Sequence, residues 1–414
     1  QGGSAGDTPL QVHFSWLFLP WHRFYIYFHE RILASLIGDP SFALVYWNWD
    51  DQRDGGNVLP PMFDRNGTAL YDTKRNANHS GSALVRLSAG SSTENKTLIA
   101  SENLNIMYQA MVTARNSDLF LGGAYRLGSD LRNSTVLSAP LGGSIENTIH
   151  NSVHYWTGTA TALPLGQDMG SFVTAGRDPI FYSHHTNVDR LWEMWRFHLP
   201  HGPRYDTNDT DFLDTEFAFY DEHANLVKVK VRDSLDIGNL GYKYKRVSSD
   251  KLWIRFKPLP ISNGSALPAA KASGVPFVGP SPVNGTIDLG TKLLARVQRP
   301  YALGVNRPDH SQEVLTIQSM NVVRDSFVQL VVFVNLPTAN STTKTNSAEY
   351  VGSFNVIPSP NKHSRLITNV KFEIGSNLKR VGIQKDDEVV VTIVVKGTEK
   401  VTIQGLEIMY EVEK

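Results

Sequence analysis

The hydrophobic pattern changes period partway along this 414-residue chain, and that change limits the fold more than any other feature. Over roughly the first 225 residues, apolar positions recur at helical spacing between long polar loops. The segment 16–38 is dense in aromatic and aliphatic residues. It stops at Gly38-Asp39-Pro40, where a glycine ends a helix and a proline cannot continue it. Three more helices are predicted over 103–115, 146–156 and 179–197, the last with Pro179 in the first turn, where a missing N–H costs nothing. Four such helices form a bundle, and bundles build metal sites from side chains on facing helices. After Asp211 the spacing turns to alternation. Strands are predicted over 226–231, 289–296, 326–335, 370–373, 388–396 and 402–410, with a turn at Lys396-Gly397-Thr398. Between the two textures, 258–282 is rich in Pro, Gly, Ser and Ala and reads as an exposed, cleavable linker. The length exceeds what one small core serves. The expectation is an α+β multi-domain chain: a mainly α-helical four-helix-bundle domain over 1–257, the linker 258–282, and an antiparallel β-sandwich or barrel over 283–414.

Composition excludes several partners. Forty basic and forty acidic residues leave a net charge of +0, so no cationic excess points to nucleic acid or an anionic membrane surface. The longest apolar runs, such as 389–395, are strand-length, and 14–37 carries His22, Arg23, His29, Glu30 and Arg31, so no membrane span is expected. The absence of cysteine removes disulfides and thiolate metal sites. The chain starts at Gln1 without a signal peptide, which implies a targeting segment removed or left out. Eight Asn-x-Ser/Thr sequons, at Asn66, Asn78, Asn95, Asn133, Asn208, Asn263, Asn284 and Asn340, favour glycosylation in the secretory pathway with a vacuolar or extracellular destination. The alternative location is the plastid thylakoid lumen.

The histidines carry the chemistry. His150 and His154, four apart on a predicted helix, share one face and reach one ion, although such a pair also arises by chance. In Asp178-Pro179-Ile180-Phe181-Tyr182-Ser183-His184-His185, histidines sit near a helix start, and Asp189 follows one turn later. Asp189 is read either as a carboxylate that fixes an imidazole tautomer or as a structural partner of Arg23 or Arg190. His13 and His22 are nine residues apart and do not share a helical face. Pro20 is expected to break the segment so that His13 lies on a loop and His22 opens a helix. Among Trp16, Phe18 and Trp21, each imidazole needs a metal or a hydrogen bond to offset its desolvation. All-imidazole sites suit Cu, Zn or Ni.

Taken together, these segments resemble the two copper-binding motifs of the tyrosinase, catechol oxidase and hemocyanin superfamily, and among its members the plant polyphenol oxidases fit best. The wording of Gln11-Val12-His13-Phe14-Ser15-Trp16-Leu17-Phe18 and of Phe42-Ala43-Leu44-Val45-Tyr46-Trp47-Asn48-Trp49-Asp50 is similar to theirs. So are Asp211-Phe212-Leu213-Asp214-Thr215-Glu216-Phe217, with Phe212 where Trp is usual, and Tyr242-Lys243-Tyr244. Ser326-Phe327-Val328-Gln329 matches loosely a C-terminal Lys-Phe-Asp-Val, and the tail 385–410 matches well. The resemblance implies two copper ions in a dinuclear type-3 centre, with His13 and His22 as ligands of copper A and His150, His154 and His185 as ligands of copper B. It makes His184 a neighbour, Phe172 a gate over copper A, Glu146 the holder of a water, and Asn151 its helper in polarising that water. The bland alternatives are a core phenylalanine and a helix N-terminal charge. The family's third copper A histidine and its thioether cysteine do not occur in the twelve residues before His13, so a cleaved or separate N-terminal segment is expected to supply them. The implied activity is oxidation of o-diphenols to o-quinones by O2, with o-hydroxylation of monophenols left open. The β-rich domain is expected to lie across the mouth and keep the chain latent until displaced. The rival readings are a hemocyanin-like oxygen carrier and, more distantly, a zinc hydrolase.

Overall fold

The structure is a computed structural model that describes residues 12–53, 56–89, 95–126, 136–159, 167–261, 274–280, 285–359 and 363–413. Most of the expected linker, and the sequons at Asn133, Asn263 and Asn284, lie outside the described residues.

Helix α1 (Phe18–Ile37) ends where Gly38 adopts φ 68° and its N–H reaches the carbonyls of Ala34 and Ser35. Pro20 does not break this helix. It sits in the first turn, where no N–H is needed, so His13 lies ahead of α1 and His22 in its second turn. Helix α2 (Lys96–Met107) begins earlier than expected because Asn95 caps it, its side-chain oxygen accepting from Thr97 and Leu98 N–H at 2.8 and 3.3 Å. It runs on into a π-helical turn, Tyr108–Thr113, before the short α3 (Ser117–Phe120). A second π-helical turn, Ile145–His150, leads into α4 (Asn151–Thr157), where a plain α-helix was expected. Such turns are rare and favour functional sites. Helix α5 (Ile180–Phe197) opens at Pro179, and Asp178 Oδ1 accepts from Ile180 N–H at 3.0 Å.

Two short strands, β2 (Glu216–Tyr220) and β3 (Leu226–Lys230), form a hairpin against α1. The C-terminal part is a sandwich of two sheets. One holds β5 (Lys292–Gln298), β10 (Glu388–Lys396), β7 (Val328–Val334) and β8 (Tyr350–Val356), in that order and antiparallel throughout. The other runs through β9 (Arg365–Glu373), β6 (Ser311–Val323), β11 (Val401–Ile403) and β4 (Ile287–Asp288), with β12 (Gly405–Val412) also paired to β6. One strand departs from the expected division: β1 (Val136–Ser138), from the helical part, joins β9 in parallel. β6 and β8 were not expected as strands. β8 is wholly buried, and at Gly352 a Cβ would meet the Phe372 ring at 2.4 Å, so only glycine fits.

The seam between the parts is polar and crossed by side-chain hydrogen bonds. Gln312 on β6 accepts from Arg115 and Asn116 N–H and donates to Thr113 O, and Asn105 on α2 donates to Thr345 O and Ser347 O. The ring of Phe14 packs into the core of the sandwich. One carboxyl at the seam is left half-satisfied. Glu373 receives Ser376 N–H at 3.0 Å on Oε1, while Oε2 has no partner. Burial, opposed by the Ser376 bond, pushes Glu373 up to about 7. A carboxyl held protonated by the fold stabilises it fully below the ordinary 4.5, and that contribution is lost as pH rises through about 7. Urea unfolding of the wild type is therefore expected to weaken by about 3 kcal/mol between pH 4.5 and pH 7.5 at this group, and Glu373→Gln to remove that part of the slope. An unchanged slope in the variant would count against it.

Candidate metal centre

Burial decides the state of the imidazoles. His13, His22, His150, His154, His184 and His185 are all buried, and burial holds each below its ordinary pKa, His22 at about 3 and His154 at about 4. They are neutral, so each has one protonated nitrogen and one lone pair. Hydrogen bonds select which is which. His22 Nδ1 lies 2.8 Å from Phe18 O, and His154 Nδ1 lies 2.9 Å from Met169 O. A carbonyl only accepts, so Nδ1 carries the proton and Nε2 the lone pair. His150 Nδ1 meets Asn151 Oδ1 at 2.8 Å with the same consequence.

The lone pairs converge. His150 Nε2 lies 3.3 Å from His185 Nε2. Two nitrogens bonded at about 2.0 Å to one tetrahedral ion stand about 3.3 Å apart, so the pair has the spacing of shared ligands. His154 Nε2 is buried with no partner. On the other side, the rings of His13 and His22 are 5.3 Å apart, and His22 stacks on His185 at 4.2 Å. Five imidazoles from an irregular segment and three helices thus close on one space. Orphaned nitrogens in so apolar a place fit a resident cation.

His184 also belongs to the cluster, since ligand atoms of His150, His154, His184 and His185 lie within 4.8 Å of one another. A tryptophan missed by sequence reasoning separates it from the rest. Trp49 Nε1 donates to His184 Nδ1 at 3.1 Å. Indole N–H cannot accept, so His184 carries its proton on Nε2 and presents no lone pair there. Trp49 lies in a segment singled out by its wording, but no spacing signals this contact.

Asp189 does not fix an imidazole. Its Oδ1 pairs with Arg23 Nε at 2.5 Å, and its Oδ2 accepts from Tyr242 and Tyr244 hydroxyls at 2.7 and 2.6 Å. It is the structural ion pair, and His185 Nδ1 is left without a partner. Glu146 is wholly buried, and both its oxygens face Phe14 N–H at 2.9 Å, with burial pushing its carboxyl well above the ordinary range. It therefore grips the residue after His13. Phe14 accepts a φ of 60° to make this contact. Asn151 faces His150 on one end and Asn355 O on the other. Phe172 stacks on His13 at 4.2 Å, 6° from parallel.

A cavity of about 330 Å³ opens onto His13, His22 and His154 between Trp21, Phe172 and Phe181. Phe219 of β2 and Arg177 complete its rim. No described residue of the β-sandwich lines it, which departs from the expectation that the sandwich lies across the mouth. The sandwich instead packs on Phe172 and on the turn that carries His150.

Comparison with known proteins agrees along the whole chain. Residues 2–198 match the common central domain of tyrosinase, 206–259 the polyphenol oxidase middle domain, and 286–410 the chloroplastic polyphenol oxidase C-terminal domain. The chain is 39% identical over 423 residues to a tomato (Solanum lycopersicum) protein, polyphenol oxidase E, chloroplastic, covering 98% of this chain and 68% of that one. It is 38% identical to a potato (Solanum tuberosum) protein, catechol oxidase B, chloroplastic, with the same coverage. The solved structure of latent apple tyrosinase superposes with a TM-score of 0.84 at 39% identity, over 97% of this chain and 84% of that one.

Proposed function

This chain belongs to the tyrosinase family of dinuclear copper proteins, among the plant polyphenol oxidases, and on that premise we propose that it oxidises o-diphenols to o-quinones with O2. The convergence of Nε2 lone pairs on neutral His22, His150 and His154, with His185 Nε2 3.3 Å from that of His150 and His13 beside them, is the observation that carries this reading. Two copper ions, when bound, supply the O2 chemistry and take up the electrons that the diphenol gives.

The chain's own residues do the rest. His13 and His22 are assigned to copper A, and His150, His154 and His185 to copper B, with His184 outside the set. Stacking rings near His13 and His22 add no imidazole beyond His150 and His185 among the described residues. Copper A's third imidazole is therefore proposed to come from a preceding segment or a separate chain. Trp21, Phe172 and Phe181 give a phenol ring apolar faces to lie against and exclude water from the reacting hydroxyls. Phe172, stacked on His13, sets the width of that approach. Glu146 positions Phe14 and so His13. Because it does not line the cavity, a role in accepting the phenol's proton needs an intervening water.

We divide the chain into a catalytic unit over 1–257, a linker over 258–282 and a shielding unit over 283–414. The chain is latent, and the shield acts by holding Phe172 rather than by filling the cavity. Among the described residues no helix is long and apolar enough to cross a membrane. The named relatives are chloroplastic, so a plastid location, in the lumen, replaces the secretory one in this reading. An oxygen carrier is not favoured, since the matched relatives are oxidases.

The copper-loaded chain is expected to hold two copper ions and to turn over 4-methylcatechol, with the rate rising after cleavage within 258–282. Two bound copper ions without turnover, before or after clean cleavage, would favour the carrier. The same assay on 4-methylphenol measures o-hydroxylation.

A further inference from the structure

An asparagine side chain has two chemically opposite ends, so its orientation carries information from one neighbour to the next. Asn355 lies on β8, in the sandwich, and its peptide carbonyl stands 2.8 Å from Asn151 Nδ2. A carbonyl only accepts, so the amide of Asn151 must present its NH2 to the sandwich. Its oxygen then faces His150 Nδ1 at 2.8 Å. That oxygen only accepts, so Nδ1 must carry the imidazole proton. The lone pair of His150 is thereby left on Nε2, 3.3 Å from His185 Nε2.

The carbonyl that starts this sequence is itself fixed. Asn355 Nδ2 donates to Thr148 O at 2.8 Å and Ser152 Oγ at 2.9 Å, and Asn355 Oδ1 accepts from Gln329 Nε2 at 2.8 Å. Thr148 Oγ1 returns a bond to Ser353 O at 2.7 Å. All of these groups are buried. His22 and His154 differ, because their Nδ1 acceptors are the backbone carbonyls of Phe18 and Met169 within the helical part. For His150 the choice of nitrogen depends on the other domain.

We propose that Asn355 is a positioning residue for the metal centre: through Asn151 it fixes the proton of His150 on Nδ1, and with Gln329 it braces the turn that bears this ligand. The sandwich is then part of the support of copper B as well as a shield. Near copper A its contact is of another kind: Phe14, the residue after His13, packs into the sandwich core, and Phe172, packed against the sandwich, stacks on His13. The inference rests on the copper reading of the site.

The test follows loss of copper from the fully loaded chain to a strong chelator, resolved for the two ions. Outer partners of metal-bound histidine typically change affinity by about 10- to 100-fold. Asn355→Ala keeps the carbonyl that Asn151 meets but strips it of the side-chain bonds to Thr148, Ser152 and Gln329 that hold it in place, and is expected to speed loss of one ion at least tenfold and to leave the other unchanged. Asn105→Ala is the control. It deletes two buried seam hydrogen bonds, to Thr345 O and Ser347 O, without touching the relay, and is expected to keep both rates at the wild-type value while lowering thermal stability. Equal acceleration of both ions, acceleration in Asn105→Ala, or none in Asn355→Ala overturns the proposal. Should Asn355→Ala fail to fold, Gln329→Leu, at the far end of the relay, is judged by the same criteria. A chain that takes up no pair of copper ions brings down the functional reading with it, whereas a loaded chain with indifferent variants brings down this inference alone.

Discussion

His185→Ala is expected to leave one copper ion per chain and to cut o-diphenol turnover by at least about a thousandfold. The size follows from the several kcal/mol that a metal ion contributes to such chemistry, with tenfold in rate for each 1.36 kcal/mol. His150 and His185 present Nε2 atoms 3.3 Å apart, and removing either leaves the shared ion short of a ligand. The neighbouring His184→Asn is the informative contrast. His184 accepts an indole N–H on Nδ1 and so carries its proton on Nε2. Its replacement is expected to keep both ions and to cost no more than the roughly 10- to 100-fold seen for outer partners. Copper content by atomic absorption, beside an oxygen-uptake assay, separates the two. Loss of an ion in His184→Asn with both ions kept in His185→Ala would reverse the assignment.

The second large effect is on stability. Arg23 is fully buried between α1 and α5, paired with Asp189 and Glu193 and lying 3.9 Å over Trp192. Asp189→Ala removes its closer partner and leaves the Tyr242 and Tyr244 hydroxyls unsatisfied. Breaking a buried pair from one side costs about 3–5 kcal/mol, because the remaining charge stays out of water. Replacing both ends by apolar residues of similar volume removes that burden. Arg23→Met with Asp189→Leu is therefore expected to be more stable to urea than Asp189→Ala alone. If the double variant is the weaker of the two, the pair contributes more than it costs to desolvate.

The candidate histidines were legible by residue type, and His150/His154 by helical spacing as well. The four helices were legible from apolar periodicity, and β10 has the bounds that its valine run suggests. What remained hidden is polar and non-local. β6 and β8 carry Gln312, Glu313, Ser353 and Asn355 at buried positions, which disguises them as loops, and each of these pairs across the seam or within the sandwich. The role of Asp189 was undecidable because helical spacing places it one turn after His185 but says nothing of Arg23 on another helix, and only the positions of Arg23 and the two tyrosines resolve it. Trp49 and Asn355 act through the direction of a hydrogen bond, a property that spacing does not encode. The latent arrangement was read as a covered mouth, whereas the packing falls on Phe172 and the turn 145–150.

Neutral imidazoles from separate helices are expected to present Nε2 to two copper ions. Anomalous scattering at the copper edge, from crystals of the loaded chain, tests it most directly. Two peaks are predicted, one bonded to Nε2 of His150, His154 and His185 and the other beside Nε2 of His13 and His22. A single peak, or one bonded to His184 in place of His185, would contradict it.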